Sequence, residues 1–366
     1  MRAEAIVDLS AIKHNVALLK EKSGTELLAV VKADAYGHGL ERVAKTAIMA
    51  GASMVGVALL EEAITLRQSG ITEPILAWLV QPGSDFKSAI DLDIDLAAAS
   101  ITALHEIQAA SGEKKARVHL ELDTGMTRGG FLSEWDQLTA ADLAGLDIVG
   151  IFSHFARADE PAEAQNAEQL SRFEEMAKRL NDLGVTQVKR HISNSAATLT
   201  NSAAAFDMVR TGIAIYGLTP DVAMGSSKVF GIRPAMQLRA ALYLVKDVPA
   251  GTPVGYGASE LTSRDTKLGV VAMGYADGIP RIAHDAGVWI NGSRAPIIGR
   301  VSMDQFVVDL GPESTAKSGD WVVIFGNGSH GEYTADDWGA ASGSINYEIV
   351  TRIGPRVPRI YSAHVY

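Results

Sequence analysis

The chain has 366 residues, 33 basic against 43 acidic side chains and a formal charge of −10, a balance that argues against a nucleic-acid or anionic-membrane surface. It has no cysteine, which excludes disulfides, thiolate nucleophiles and cysteine-ligated metals and suits a reducing cytosol. No apolar run approaches the roughly 20 residues that span a bilayer, and MRAEAIVDLSAIKHN lacks the apolar centre of a signal peptide, so a cytoplasmic enzyme is expected.

In chain order, AEAIVDL (Ala3–Leu9) reads as a strand standing apart from its successors, and we expect it to pair with the C-terminal part of the chain. Next come LLAVV (Leu27–Val31), SMVGVA (Ser53–Ala58), PILAWL (Pro74–Leu79) and IDLAA (Ile94–Ala98). ARVHLEL (Ala116–Leu122), DIVGIFS (Asp147–Ser153), VKRHIS (Val188–Ser193) and MVRTGIAIYG (Met208–Gly217) continue the series. LLAVV is apolar without alternation, the pattern of a strand buried on both faces in a parallel sheet. Helical patterns such as LERVAKTAIMAG and EQLSRFEEMAKRLNDLG lie between the runs, the second stopping on Gly184. About eight β/α units result, the count of a TIM barrel. A doubly wound open sheet is the alternative, but the glycine fingerprint of a dinucleotide site is missing.

Near Phe230 the pattern changes. VPAGTPVG, KLGVVAMGYADG, GVWINGSRAPIIG, DQFVVDLG and DWVVIFGNG are short strands with turn signals. The expected fold is therefore an α/β TIM barrel over residues 1–230, with its first strand lent to a mainly-β domain over residues 231–366.

A barrel of this kind builds its site at the C-terminal ends of its strands. Lys32, Tyr36 and His38 follow the first barrel strand. Glu121, Asp123 and Arg128 end or follow the fifth. His154 follows the sixth, Asn194 and Ser195 the seventh, and Arg210, Gly212 and Ile213 lie on or after the eighth. A lysine at the mouth of a buried strand is partly desolvated, which disfavours its ammonium form and makes the amine a nucleophile or base. The loops after the last two strands often hold a phosphate. Ser195 and Gly212 suit that task, although a plain N-cap and a plain bend explain them equally well. A strand-end lysine beside a phosphate site points to pyridoxal 5′-phosphate, with the cofactor as electron sink and the protein supplying orientation and protons.

The motifs VVKADAYGHG, LDTGMTRGG, GIFSHFARAD, NSAATL, MVRTGIAIYGL, VGYGAS, GYADG, GRVSMDQ and INYE resemble, in order and over nearly the whole chain, those of the bacterial alanine racemase family. The resemblance implies a two-domain enzyme that uses pyridoxal phosphate to interconvert L- and D-alanine and so supplies D-alanine for the cell wall. It implies that Lys32 is the Schiff-base lysine and one of two acid/base catalysts. It implies that Tyr36 and Tyr347 hold the phosphate with Ser195, Gly212 and Ile213. Arg210 would meet the pyridine nitrogen and His154 would stand beside the ring. Tyr256 would be the second base, supplied by the other subunit of a homodimer. Tyr275, Met303 and Asp304 would complete the entrance and substrate site, also from the partner. Glu121 departs from the family, which often has a carbamylated lysine there facing the arginine that matches Arg128. Glutamate keeps a carboxylate-like tip on a shorter arm.

Other features read as structural. His14, His105, His284 and His364 have no metal-ligand spacing, and Met236 and the tryptophans suit core or interface. DLDID (Asp91–Asp95) lacks the glycine and terminal glutamate of a calcium loop and reads as a solvated turn. No metal is expected. A broader amino-acid racemase, a decarboxylase on the same fold and a non-catalytic pyridoxal phosphate carrier remain alternatives.

Overall fold

The computed structural model of the chain describes residues 1–363, so His364 and the end of the expected 231–366 domain lie outside the described residues. The chain divides into two units. One comprises Ile12–Ala35 and Leu40–Ile232; the other comprises Met1–Ala11, Tyr36–Gly39 and the described residues from Arg233 onward. The first strand, β1 (Ala3–Asp8), belongs to the second unit.

The first unit is a nearly closed parallel barrel. Its strands are β2 (Glu26–Val30), β3 (Met54–Val57), β4 (Ile75–Ala77), β5 (Ile94–Ala98), β6 (Arg117–Glu121), β7 (Asp147–Phe152), β8 (Lys189–His191) and β9 (Met208–Thr211). They pair in sequence order, and β2 returns to β9 with Leu28 opposite Arg210. The β8–β9 seam is joined by single bonds, Arg210 N–H to Ser193 O at 2.9 Å and Asp207 N–H to Arg190 O at 3.1 Å. β3, β4, β5 and β9 are buried along their whole length, as strands of a helix-covered parallel sheet are; on β5 and β9 this burial takes in Asp95, Arg210 and Thr211. DLDID is not a solvated turn throughout. Asp95 sits on β5 with 1% exposure, because the barrel interior supplies it with hydrogen bonds.

The second unit is organised on β10 (Met236–Val248), thirteen residues long. The motif reading passed over this strand, since QLRAALYLVKD has no turn signals and is rich in helix formers. β10 pairs antiparallel with β1, with Ala5 opposite Leu238. β11 (Pro253–Val254) and β12 (Glu260–Leu261) form a separate ribbon. β13 (Thr266–Val271) pairs with β10 beyond an irregularity at Leu242–Leu244. β14 (Gly287–Ile290), β15 (Ser293–Pro296), β16 (Phe306–Asp309) and β17 (Trp321–Phe325) extend the sheet, and β18 (Arg359–Ser362) runs parallel to β1. Two short helices, Ala335–Ala341 and Asn346–Thr351, complete this unit's core with Trp338, which donates its indole N–H to Ile324 O at 2.8 Å.

Candidate active site

The end of β2 delivers Lys32 through Val31, whose N–H still bonds Gly56 O at 2.8 Å. The chain then does something the sequence did not announce. Ala33, Asp34, Ala35 and Tyr36 have φ of 54°, 53°, 53° and 52°, a left-handed turn made without glycine. Each such residue costs about 1–2 kcal/mol, and that strain persists only where the surroundings impose it. Here Ala33 N–H donates to Glu62 Oε1 at 2.6 Å, Leu40 N–H to Asp34 Oδ1 at 2.8 Å and Ala35 N–H to Val31 O at 2.8 Å. The turn leaves Lys32 half-buried with Nζ 5.9 Å from the centre of the Trp78 ring. Burial, and then the positive charge of Arg128, hold the Lys32 ammonium below the ordinary lysine range, while Glu62 pulls the other way. Trp78 follows β4 on the same rim, so it is a neighbour of the candidate lysine and not a generic core residue.

Arg210, 7% exposed on β9, is held from two sides. Its Nη1 donates to His191 O at 2.7 Å and His191 Nδ1 at 3.2 Å; its Nη2 donates to Ser153 O at 2.7 Å and His154 Nδ1 at 3.1 Å. The Nε–H makes no hydrogen bond among the described residues. Burial lowers the Arg210 pKa to about 10, with Glu121 opposing and Arg128 adding to the shift, so the group stays cationic at neutral pH. Guanidinium has no acceptor, so His154 accepts at Nδ1 and, when neutral, carries its proton on Nε2. Burial first, then Arg210, Arg128 and Lys32, push the His154 pKa down to about 3, which keeps it neutral.

Beside Arg210, Ser195 Oγ accepts from Gly212 N–H at 2.9 Å and from Ala214 N–H at 3.3 Å. Its own O–H is thereby left to donate. Asn194 Oδ1 caps the turn through Ala197 N–H at 3.0 Å, and Ile213 is buried behind it. Glu121 ends β6. Its carboxylate lies against Gly129, where an added Cβ would come within 3.2 Å of Oε1. It makes no ion pair within reach of Arg128 among the described residues. Burial raises its pKa, against the pull of Arg210 and Arg128.

The barrel unit thus brings together Lys32, Glu121, Arg128, His154, Ser195, Arg210, Gly212 and Ile213. The second unit groups its candidates differently. The Tyr36 and Tyr347 rings lie 6.2 Å apart. Tyr275 N–H bonds Ser302 O at 3.1 Å and Ala276 N–H bonds Met303 O at 2.9 Å, stitching two candidate loops together. Asp304 is paired with Arg356 at 2.6 Å. Tyr256 stands apart in the short turn Tyr256–Ala258, 71% exposed, and its hydroxyl makes no hydrogen bond among the described residues.

The motif reading also missed the groups behind Arg210. Nε2 of His191 is 2.9 Å from Nδ1 of His119, whose Nε2 is 3.3 Å from Asp95 Oδ2. The signal was one histidine in the middle of β6 and one at the end of β8, both buried.

Comparison with known proteins places the chain among relatives over nearly its whole length. The family model for the alanine racemase N-terminal domain matches residues 7–220, and that for the alanine racemase C-terminal domain matches residues 235–361. The alanine racemase of Salinispora arenicola is 49% identical over 370 residues, covering 98% of this chain and 98% of that protein. That of Beutenbergia cavernae is 49% identical over 369 residues, covering 98% and 97%. A crystal structure of alanine racemase from Streptomyces lavendulae superposes with a TM-score of 0.97 at 44% identity, covering 100% of this chain and 98% of that one. One from Streptomyces coelicolor A3(2) gives 0.96 at 45% identity, covering 99% and 98%.

Proposed function

The chain belongs to the alanine racemase family, and on that premise we propose that it interconverts L- and D-alanine with pyridoxal 5′-phosphate, each site being shared between two copies. The observation that carries the reading is the desolvated amine of Lys32 on the same barrel rim as Arg210 and the Ser195–Gly212 turn. These residues fit the cofactor. An amine held below the ordinary ammonium range suits a carbonyl group, the free Ser195 O–H suits a phosphate oxygen, and the Arg210 Nε–H suits a ring nitrogen. Tyr36, Tyr347, Gly212 and Ile213 are proposed to complete the phosphate's surroundings. The cofactor, when bound, supplies the electron sink that makes the substrate's Cα proton removable.

The chain's own residues then move one proton. A racemase takes it from one face of Cα and returns one to the other, and two bases on opposite faces do this without turning the substrate over. Lys32 is proposed for one face and Tyr256 of a second copy for the other. Tyr256 suits that role because its exposed hydroxyl is not engaged by the described residues of its own chain. Free tyrosine has a pKa near ~10, so its work as a base needs a donor or cation near the oxygen. The Nε2–H of neutral His154, backed by Arg210, is proposed to provide it. Arginine does not release its proton, so Arg210 orients and polarises without protonating. Arg128, Met303, Asp304 and Tyr275 are proposed to hold the substrate or narrow its entrance, and Glu121 to fix Arg128 from a distance. Supply of D-alanine to peptidoglycan in the cytoplasm is part of the same proposal. Among the described residues no helix is long and apolar enough to cross a membrane.

The test is chiral chromatography of L-alanine incubated with the protein and pyridoxal phosphate, with Lys32→Ala as control. Conversion toward equal amounts of both enantiomers, lost in the variant, is expected. Unchanged L-alanine would overturn the substrate assignment and direct the search to serine and larger amino acids.

A further inference from the structure

The barrel interior contains a continuous line of polar groups running from the strand starts to the rim. Arg117, the first residue of β6, donates from Nε to Asp95 Oδ1 at 2.7 Å and from Nη2 to Asp95 Oδ2 at 3.2 Å. Asp95 Oδ2 meets His119 Nε2, His119 Nδ1 meets His191 Nε2, and His191 Nδ1 meets Arg210 Nη1. Asp95, His119 and His191 are each 1% exposed or less. The space is built for them. An added Cβ on Gly150 would fall 2.0 Å from His119 Nδ1, and the Phe152 ring stacks on His191 at 5.2 Å and 8°.

The ends of this line fix its middle. Arginine only donates and an ionised carboxylate only accepts. His191 must therefore accept at Nδ1, which places its single proton on Nε2. His119 must accept that proton's hydrogen bond at Nδ1, which places its own on Nε2, aimed at Asp95. A second proton on either ring would set donor against donor. Only one arrangement of protons satisfies all the contacts, and both imidazoles are neutral in it.

We infer that Asp95 and His119 are positioning residues for Arg210: they hold His191 in the one tautomer that accepts from it, and so fix where the remaining Arg210 N–H points. The consequence for catalysis rests on the racemase reading above; the proton arrangement itself does not. Burial and the neighbouring Arg210 hold His191 far below the ordinary imidazole range, in keeping with a neutral ring. Burial alone would raise the Asp95 pKa, but the bonds from His119 and Arg117 outweigh it and hold the carboxyl ionised. Deep polar chains of this kind are costly when one member is unpaired, so a change at Asp95 is felt at Arg210.

Asp95→Asn tests the chain of donors. An asparagine that turns its amide N–H₂ toward His119 reverses both rings and sets His191 Nδ1–H against Arg210. One that turns its oxygen toward His119 sets its N–H₂ against Arg117. Asp95→Asn is expected to lower kcat by about tenfold, the rate equivalent of one misdirected hydrogen bond, with KM little changed. Asp95→Asn combined with Arg117→Ala frees the amide to turn its oxygen inward and is expected to restore most of kcat. A merely structural role would make the double variant worse than the single. Histidine-nitrogen NMR of the full wild-type chain loaded with pyridoxal phosphate, with signals assigned through His119→Gln and His191→Gln, reads the tautomers directly. Proton on Nε2 at both rings is expected. A proton on Nδ1 of either, or an imidazolium, overturns the inference, as does wild-type kcat in Asp95→Asn. Should Asp95→Asn fail to fold, or the wild type fail to racemise alanine, the wild-type spectra decide the matter alone.

Discussion

Arg210 and Tyr256 show how differently the two units prepare their functional groups. In the barrel, Arg210 is buried and makes four close side-chain hydrogen bonds to carbonyls and ring nitrogens of its own unit. In the β-rich unit, Tyr256 is 71% exposed with its hydroxyl unengaged among the described residues. A buried cation must be satisfied by its own chain or the fold is destabilised. An exposed phenol carries no such requirement and is available to something outside the chain. The barrel therefore holds its polar groups in place by itself, and under the proposed function the exposed phenol of the β-rich unit is the group offered to a second copy.

The sharpest way to break that contrast is to divide the two bases between chains. Lys32→Ala and Tyr256→Phe homodimers are each expected to lose activity, the first almost wholly and the second by about 10²–10⁴-fold. Mixed and reassociated one to one, they should recover about a quarter of wild-type turnover, since half of the dimers are mixed and each of those holds one intact site. No recovery would place both bases in one chain. Tyr256→Phe also has a signature that lost activity alone lacks. The equilibrium between enantiomers is fixed, so kcat/KM must fall equally in both directions. Solvent-deuterium exchange at Cα should survive for the one enantiomer whose proton faces Lys32 and vanish for the other. Equal exchange into both would defeat the two-base assignment.

A smaller effect probes the barrel half alone. Arginine does not release its proton, so a cofactor ring that met Arg210, as proposed, would stay a weaker electron sink than one protonated by a carboxylic acid. Arg210→Glu is expected to slow racemisation and to raise the yield of the keto acid from transamination relative to racemised alanine. An unchanged ratio, measured by chromatography of both products, would count against Arg210 at that position.

The same contrast governs what was legible in the sequence. The short, mostly apolar runs from Leu27 to Ile213 read as barrel strands because a helix-covered sheet buries most of both faces. The lysine, arginine and serine at their ends fell on one rim because the TIM topology puts every C-terminal end there. The hidden part depends on long-range closure. His119 and His191 are 72 residues apart, and nothing local marks them as partners until β6 and β8 take their places on either side of β7. The left-handed turn at Ala33–Tyr36 was hidden for the opposite reason. KADAY is locally a good helix, and it is Glu62, 29 residues away, that bonds the Ala33 N–H. In the β-rich unit, short strands with turn signals were legible, while the long β10 was not, because its residues have helix propensity that antiparallel pairing overrides.

Glu121 gives the finest test, because the burial that the barrel imposes and the charge that the site uses act in opposite directions there. Its carboxylate is half-buried with no ion pair among the described residues, and burial raises its pKa despite Arg210 and Arg128. For a carboxyl group whose folded pKa lies above its unfolded value, the unfolded chain ionises first. Holding the charge therefore costs stability at neutral pH, a cost that disappears as pH falls below the unfolded value. Glu121→Gln should then melt higher than wild type near neutrality, with the gap closing in acid. The same variant should lose activity by a few fold if Glu121 steadies Arg128 as proposed, and added bicarbonate should not restore the lost turnover. A carboxylate that served only the fold would show the reverse: lower melting temperature and intact turnover. The two readouts separate a group kept for the site from one kept for the barrel.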